Sequence, residues 1–264
     1  MRALAASLAL IALAGCVVTG APPPVVPVGP QTVLAVQPAE VPAFSNVNPP
    51  SGTVGATLWG PVEKLPAPPT AVSSSAGILD IVIDSASIPG NVKARAGLGT
   101  IVLGWSPVAW VKAAGFRASY DLRVTRADHS SGAVAQVVAY LNLRDVANKA
   151  SLWLGQIFFD TRCDKGGDVG WDAGTNTPMF NVVAPNFSCR TFGDWRSVSF
   201  AVGPAQIAAA ASALRARYPA LRLSSDLGDY ELTHGNVNPE VAVKPGESAR
   251  IDAGIKGWRI TTQP

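Results

Sequence analysis

The sequence predicts an all-β protein. We expect an antiparallel β-sandwich of jelly-roll type with one inserted α-helix, and we expect this sandwich to follow a disordered Pro-rich tether. After residue 76, apolar and polar residues alternate in many short segments, as is typical of sheets that face water on one side. Turn residues separate these segments, and strands do not alternate with helices in the way that a parallel sheet requires. An open barrel is the alternative architecture.

The composition excludes some partners. The chain has 264 residues, of which 15% are charged, and a formal charge of +3. Removal of a leader that contains Arg2 would leave a charge of about +2. A bias this small does not favour nucleic acid, so we expect no nucleic-acid partner.

The N-terminus has the layout of an export signal, with one positive charge, an apolar run from Ala3 to Ala14 and then small residues before a cysteine. The run is too short to span a bilayer stably. Its end, Leu13-Ala14-Gly15-Cys16, resembles the lipobox of bacterial lipoproteins. The resemblance implies that residues 1–15 are a signal peptide and that Cys16 is acylated, with palmitate among the attached lipids. Val17 stands where an Asp would hold such a protein in the inner membrane, so the outer membrane is the expected location.

Residues 16–76 comprise the acylated cysteine and the predicted tether. This region holds 13 of the 22 prolines of the chain, which disfavour a ladder of backbone hydrogen bonds. We expect it to be extended, with polyproline character, and to hold the domain away from the lipid surface. The β-sandwich domain is then predicted to span residues 77–264.

About nine strands are predicted in this domain. The strand near 152–159 is apolar on both faces, which is typical of a strand buried within a sandwich. The other candidates are 79–83, 100–103, 120–125, 135–142, 197–202, 230–234, 239–243 and 255–262.

One helix is predicted at about 204–218. Pro204 suits a first helical position, alanines are strong helix formers, and Arg215 and Arg217 suit the negative end of the helix dipole.

A long polar segment between Cys163 and Cys189 should be functional or cross-linked. If Cys16 carries lipid, these two cysteines remain to pair in an oxidising compartment. Two reduced thiols in a core are the alternative, which the polar neighbours of Cys163 disfavour.

The sequence predicts no catalytic residue, because the common hydrolase, nucleotide-binding and zinc-protease motifs are absent. Asp164, Asp168 and Asp172 lie in a Gly-rich segment and could together bind Ca²⁺, although their spacing is not that of an EF-hand. No other cofactor is expected.

Aromatic side chains within or beside this segment favour a glycan ligand, since exposed rings stack on sugars while polar groups bind the hydroxyls. The predicted ligand-binding residues are Trp171, Trp195, Asp172, Asn176 and Arg162. The sequence therefore predicts a lipid-anchored envelope protein whose sandwich binds glycan or has a structural role. The alternatives are a glycan-acting hydrolase that uses loop carboxylates, and an assembly subunit that contacts another envelope protein.

Overall fold

The computed structural model describes residues 32–35, 54–57, 70–75, 78–87, 96–98, 100–109, 115–172, 176–224 and 226–263. The predicted signal peptide, Cys16 and most of the predicted tether lie outside these residues. Within the described ranges, the chain forms fourteen strands and one α-helix.

The first seven strands are β1 (Thr32–Ala35), β2 (Val54–Thr57), β3 (Thr70–Ser75), β4 (Ile78–Asp84), β5 (Ala96–Leu98), β6 (Thr100–Ala109) and β7 (Gly115–His129). They are followed by β8 (Val134–Asp145), β9 (Ala150–Asp160), β10 (Asp168–Asp172), β11 (Thr177–Ser188) and β12 (Phe192–Val202). Helix α1 (Pro204–Arg217) precedes β13 (Tyr230–Val243) and β14 (Ala249–Gln263).

The strands form two sheets. The six-stranded sheet has the order β12-β7-β14-β4-β3, with β1 also paired to β14. The eight-stranded sheet has the order β10-β11-β9-β8-β13-β6-β2, with β5 also paired to β13. Neighbouring strands are antiparallel except for β9 and β11, which are parallel. The predicted jelly-roll-type β-sandwich is confirmed.

The core lies between the two sheets. Alternate residues of each strand point inward, as the period of two requires. In β4 these are Leu79, Ile81 and Ile83, all of which are buried. The partner sheet contributes Leu152 and Leu154 from β9, at the centre of the fold as predicted.

Helix α1 confirms the predicted helix almost to the residue. Gln206 accepts a hydrogen bond from the backbone N–H of Gly203 at 3.0 Å, which satisfies a donor at the start of the helix. The buried face consists of Ile207, Ala210, Ala211 and Leu214. This face packs against β10, β11 and β12 and covers one end of the sandwich.

The predicted boundary at residue 76 is wrong, because it divides a hairpin. Six residue pairs join β3 to β4 across it, from Thr70 opposite Ile83 to Ser75 opposite Ile78. Strands β1 and β2 also pair with the two sheets. The prolines lie between these short strands and not within them, so they do not prevent local pairing.

The predicted loop between Cys163 and Cys189 is also largely strand. Strands β10 and β11 pair with each other over five positions, and β11 adds to β9 in parallel. Pro178 and Pro185 lie within β11, which is why its sequence does not resemble that of an inner strand.

Among the described residues, no helix has both the length and the apolar character needed to cross a membrane.

Candidate functional site

Strands β11, β9, β8 and β13 lie side by side in the eight-stranded sheet and direct alternate side chains away from the core. On β8, Ala139 and Leu141 belong to the main core, whereas Tyr140 belongs to a second apolar cluster on the outer side. We call this outer surface the amide face. Its members are Tyr140, Asn142, Trp153, Gly155, Met179, Asn181, Asn236, Asn238 and Glu240.

An aromatic pair lies near the centre of the amide face. The rings of Tyr140 and Trp153 are 5.4 Å apart and inclined at 54°. Tyr140 is only 7% exposed, whereas Trp153 is partly exposed. Met179 and Phe187 pack beside them and are also partly exposed. The face therefore offers an accessible indole ring supported by a buried phenol.

Gly155 provides the space for this arrangement. It is paired with Tyr140 on β8 and with Asn181 on β11. A Cβ atom at this position would lie 2.1 Å from Asn181 Oδ1 and 2.6 Å from Tyr140 Cε1. Both side chains thus lie against the bare backbone of β9, as a glycine inside a strand permits.

Four asparagines on these strands are buried, although asparagine is depleted in strands. Asn142 Nδ2 donates to Asn236 Oδ1 at 3.2 Å, and Asn238 lies two residues further along β13. The Oδ1 atoms of Asn142 and Asn181 are buried and have no hydrogen-bond partner among the described residues. An unsatisfied buried acceptor costs about 1 to 3 kcal/mol, so these amides are poor choices for stability alone.

Carboxylates flank the aromatic pair. Asp168 on β10 accepts hydrogen bonds from Asn181 at 2.7 Å and from Lys165 at 2.6 Å. Glu240 on β13 accepts one from Gln136. Since β8 lies between β10 and β13, the two carboxylates approach Tyr140 from opposite sides.

These charges act on Tyr140. The pKa of the Tyr140 phenol is raised well above its usual value. Burial is the largest cause and the charge of Glu240 the next, and the charges of Asp168 and Asp172 raise the pKa further. A hydrogen bond from Asn181 opposes it. Tyr140 is therefore a neutral hydroxyl at any physiological pH.

Arg162, a predicted ligand-binding residue, neutralises a buried acid. It donates to the fully buried Asp160 from its backbone N–H at 2.8 Å and from its guanidinium at 2.9 and 2.5 Å. These hydrogen bonds are the main reason why the pKa of Arg162 is raised. The guanidinium also donates to Gln136, which links it to Glu240 at the end of the amide face.

The predicted disulfide between Cys163 and Cys189 is confirmed. It joins the end of β9 to the end of β11, with Cα atoms 4.9 Å apart. The bridge therefore fixes the one parallel pair of strands beside the amide face.

The structure separates the predicted ligand-binding residues. The Trp171 indole donates to Asn176 at 3.2 Å and packs edge-on against Tyr218 at the end of α1. Asp172, the next residue on β10, lies on the opposite side of this strand from Trp171, on the side that bears Asn181, and its charge acts on Tyr140. Trp195 belongs to β12 and thus to the other sheet. Trp171 and Trp195 are 24 positions apart in the sequence, but they belong to different sheets.

The predicted Ca²⁺ ligands do not converge. The described part of the chain contains no group of three or more His, Cys, Asp or Glu side chains that could hold a metal ion. Asp168 is instead paired with Lys165 and Asn181. The extended backbone of β10 places Asp168 and Asp172 four residues apart along a strand, in place of a loop that could gather them.

The sequence alone did not identify the amide face. The sequence places Trp153 in a predicted strand that is apolar on both faces, which gives no indication of an exposed ring. The available signal was the recurrence of asparagine at alternate positions, as in Asn236 and Asn238. Only the strand register shows that these residues share a face with Tyr140 and Trp153.

No protein-family model and no curated protein matches the chain. Similar solved structures include a family 12 xyloglucanase from Bacillus licheniformis, with 13% identity, 78% of this chain and 90% of that chain covered and a TM-score of 0.43. Another is the xyloglucanase domain of a type three effector from Sinorhizobium fredii, with 12% identity, coverage of 88% and 100% and a TM-score of 0.39. Similarity at this level does not indicate a shared function.

Proposed function

We propose that this protein binds a neutral glycan through the amide face, as a lipid-anchored module of the cell envelope. The observation that supports the binding role is the composition of this face. A partly exposed indole lies beside buried amides whose oxygens lack partners among the described residues. An ordinary solvent-facing sheet surface would carry charged and β-branched residues instead.

Sugars match these groups chemically. The apolar face of a pyranose ring can stack on Trp153, while its hydroxyls donate to amide and carboxylate oxygens. A water that bridges to a bound sugar would satisfy the buried Asn142 Oδ1 and Asn181 Oδ1. The flattest pyranoses are those with equatorial substituents, so β-linked glucose, xylose or N-acetylglucosamine polymers are the best candidates.

The location in the envelope is proposed from the lipobox residues Leu13 to Cys16 and from Val17. Replacement of Cys16 by Ser should abolish the incorporation of labelled palmitate and release the protein from the membrane fraction. Unchanged labelling of this variant would disprove the lipid anchor without affecting the glycan proposal.

Binding is tested with cellohexaose, xylohexaose and chitohexaose by isothermal titration calorimetry. We expect Trp153→Ala to weaken binding at this face by about 10-fold or more, to below detection, because the sugar loses both the apolar area of the indole and the stacking on its ring. Trp171→Ala is the matched control, because it removes an indole from the helix side of β10. Thermal unfolding of both variants shows whether weaker binding results from a lost contact or from a loss of folded protein.

The two variants also distinguish a site on the amide face, indicated by the structure, from a site at Trp171, predicted from the sequence. If Trp171→Ala abolishes binding and Trp153→Ala does not, the site lies at β10 and α1 and the proposal for the amide face fails. It fails equally if none of the three hexasaccharides binds the wild-type protein.

Glycan hydrolysis is the second candidate function. It is favoured by one observation, that Glu240 and the acids of β10 influence Tyr140 from opposite sides. A hydrolase needs one carboxyl to protonate the leaving oxygen and another to attack the sugar or activate water. Their oxygens must lie roughly 5 to 10 Å apart.

Release of reducing ends from the same hexasaccharides tests this alternative. If the wild-type protein is a hydrolase, Glu240→Gln should abolish the release, whereas Glu231→Gln on the same strand should not. Glu231 is a suitable control because it pairs with Arg144 near the other end of β13. Binding without release by the wild-type protein favours the binding module.

A further inference from the structure

Trp195 is a large aromatic residue on the outer face of the six-stranded sheet. Strand register defines two adjacent rows across this face. In one row Arg123 of β7 is opposite Gly254 of β14, which is opposite Asp80 of β4. The next row contains Ser197, Asp121 and Lys256. We call these six residues and Trp195 the Trp195 platform.

Arg123 lies flat across β14. Its Nη2 reaches Asp80 Oδ1 at 2.8 Å, on the far side of Gly254. A Cβ atom on Gly254 would lie 2.6 Å from Arg123 Nε and 2.9 Å from Trp195 Cη2. Glycine is unfavourable inside a strand by about 0.5 to 1 kcal/mol, and here it provides the room that both side chains occupy.

The indole of Trp195 extends from the edge strand β12 over this row. Its centroid is 4.5 Å from Arg123 Cζ and also 4.5 Å from Lys256 Nζ. Arg123 Nε is buried and has no hydrogen-bond partner among the described residues. The ring is thus fixed by its neighbours and does not need a ligand to become ordered.

The polar groups around the ring remain accessible. The side chains of Arg123, Asp80, Lys256 and Asp121 are 28%, 41%, 35% and 34% exposed. Lys256 and Asp121 are only loosely paired, at 3.9 Å, while Ser197 donates to the other oxygen of Asp121 at 2.6 Å. Donors and acceptors therefore surround one preorganised aromatic ring.

We propose that the Trp195 platform is a second carbohydrate-binding site, which takes one neutral sugar unit of a polysaccharide. Two cations and two carboxylates balance, so the platform has no net charge to select an anionic ligand. Trp195 stacks on the pyranose, Asp121 accepts from its hydroxyls and Lys256 donates to them. The inference rests on the proposed function only for the class of ligand.

The two sites lie on opposite outer faces of the sandwich. One protein can therefore contact two polysaccharide chains, or two segments of one chain. Two linked contacts can raise the avidity by 100-fold or more without any new contact, roughly as effective-concentration arguments predict. The platform would thus convert a module with one site into a cross-linker of envelope or extracellular glycan.

The test is the binding stoichiometry of cellohexaose, xylohexaose and chitohexaose, measured by calorimetry on the mature full-length protein. We expect two hexasaccharides per wild-type protein, one for Trp153→Ala, one for Trp195→Ala and none for the double variant. Gly254→Ala should behave as Trp195→Ala does, because its Cβ displaces the Arg123 side chain and the indole without deleting any polar group. Thr125→Ala, on the same outer face but outside the two rows, is the control and should bind two.

The possible outcomes distinguish the amide face from the Trp195 platform as binding sites. If Trp195→Ala and Gly254→Ala remain folded and bind as many hexasaccharides as the wild-type protein, the platform is not a carbohydrate site. If binding is lost in Trp195→Ala and unchanged in Trp153→Ala, the platform proposal stands and the amide face is not the site. If the wild-type protein binds none of the three sugars, both proposals are overturned.

Discussion

Gly155 shows how a single missing side chain shapes the amide face. The Tyr140 ring and the Asn181 amide both lie where its Cβ would be, at 2.6 and 2.1 Å. Both neighbours are buried, and Tyr140 is further held against Trp153. A methyl group at this position therefore cannot be accommodated without moving the centre of the candidate site.

We predict that Gly155→Ala lowers the free energy of unfolding by about 1 to 3 kcal/mol, the usual range for overpacking. For a domain of this size, that is a decrease of roughly 2 to 12 °C in the melting temperature. Gly166→Ala is the control, since a Cβ there would have no atom within 4 Å. Equal melting temperatures for the two variants would contradict the packing described for Tyr140 and Asn181.

The disulfide acts at the scale of elements. Cys163 and Cys189 are 26 positions apart and join the ends of the two parallel strands β9 and β11. A parallel pair cannot be closed by a tight turn, and here the connection contains β10. The register between β9 and β11 also shifts between Val183 and Ser188, close to the bridge. The bridge therefore secures the irregular end of this parallel pairing.

We predict that Cys163→Ala combined with Cys189→Ala lowers the stability by about 3.5 kcal/mol, the chain-entropy value for a loop of this length. Measured bridges often contribute less. Chemical denaturation of the wild-type protein with and without reductant, beside the double variant, measures the effect. If reductant lowers the free energy of unfolding of the wild-type protein and not that of the double variant, the loss is due to the bridge. An unchanged free energy of unfolding in the reduced wild-type protein would contradict the stabilising role.

Elements with strong local patterns were predictable from the sequence. Strands β4, β7 and β8 alternate clearly, and α1 has its proline, alanines and terminal arginines. Strands β3, β10 and β11 were missed because prolines, serines and aspartates dominate the local pattern there. They form strands because each pairs with a neighbouring strand. This is a tertiary interaction, which local propensity does not describe.

The candidate site depends on register, which the sequence did not specify. Trp153 and Asn142 become neighbours only because β8 and β9 pair with these residues opposite each other. Trp195 is a predicted ligand-binding residue because it is an aromatic residue beside the segment from Cys163 to Cys189. Its neighbours in the structure, Arg123 and Lys256, are 72 and 61 residues away in the chain. A shift of one residue in either pairing would reverse the faces of these side chains.

At the scale of the whole molecule, three tyrosines couple folding to alkaline pH. Burial raises the pKa of Tyr120 and of Tyr140 well above the usual value, and that of Tyr230 to about 12. Above about pH 10 the unfolded chain releases phenol protons that the folded protein still holds. The free energy of unfolding should therefore be unaffected by these groups at lower pH and should fall as the pH rises through 10 to 12.

We predict that the free energy of unfolding decreases by up to about 1.4 kcal/mol per pH unit for each tyrosine in this range. Urea denaturation at several pH values above about 9 measures the slope. Tyr140→Phe removes one of the three groups, so its stability should decrease less steeply with pH than that of the wild-type protein. The same slope in both proteins would show that Tyr140 is not shielded in the folded state.

The folded unit extends to the N-terminal side of the predicted boundary at residue 76. Strand β3 covers the edge of β4 through six residue pairs, so the sandwich does not begin at residue 77. A chain truncated to begin at Gly77 would expose β4 as an edge strand, with unpaired backbone groups that favour aggregation. We predict that this chain is less stable and more prone to aggregate than one that begins at Pro69 and keeps β3. Both truncations lack β1 and β2, so the comparison isolates β3. Light scattering and thermal unfolding measure the difference, and identical behaviour of the two chains would restore the boundary at residue 76.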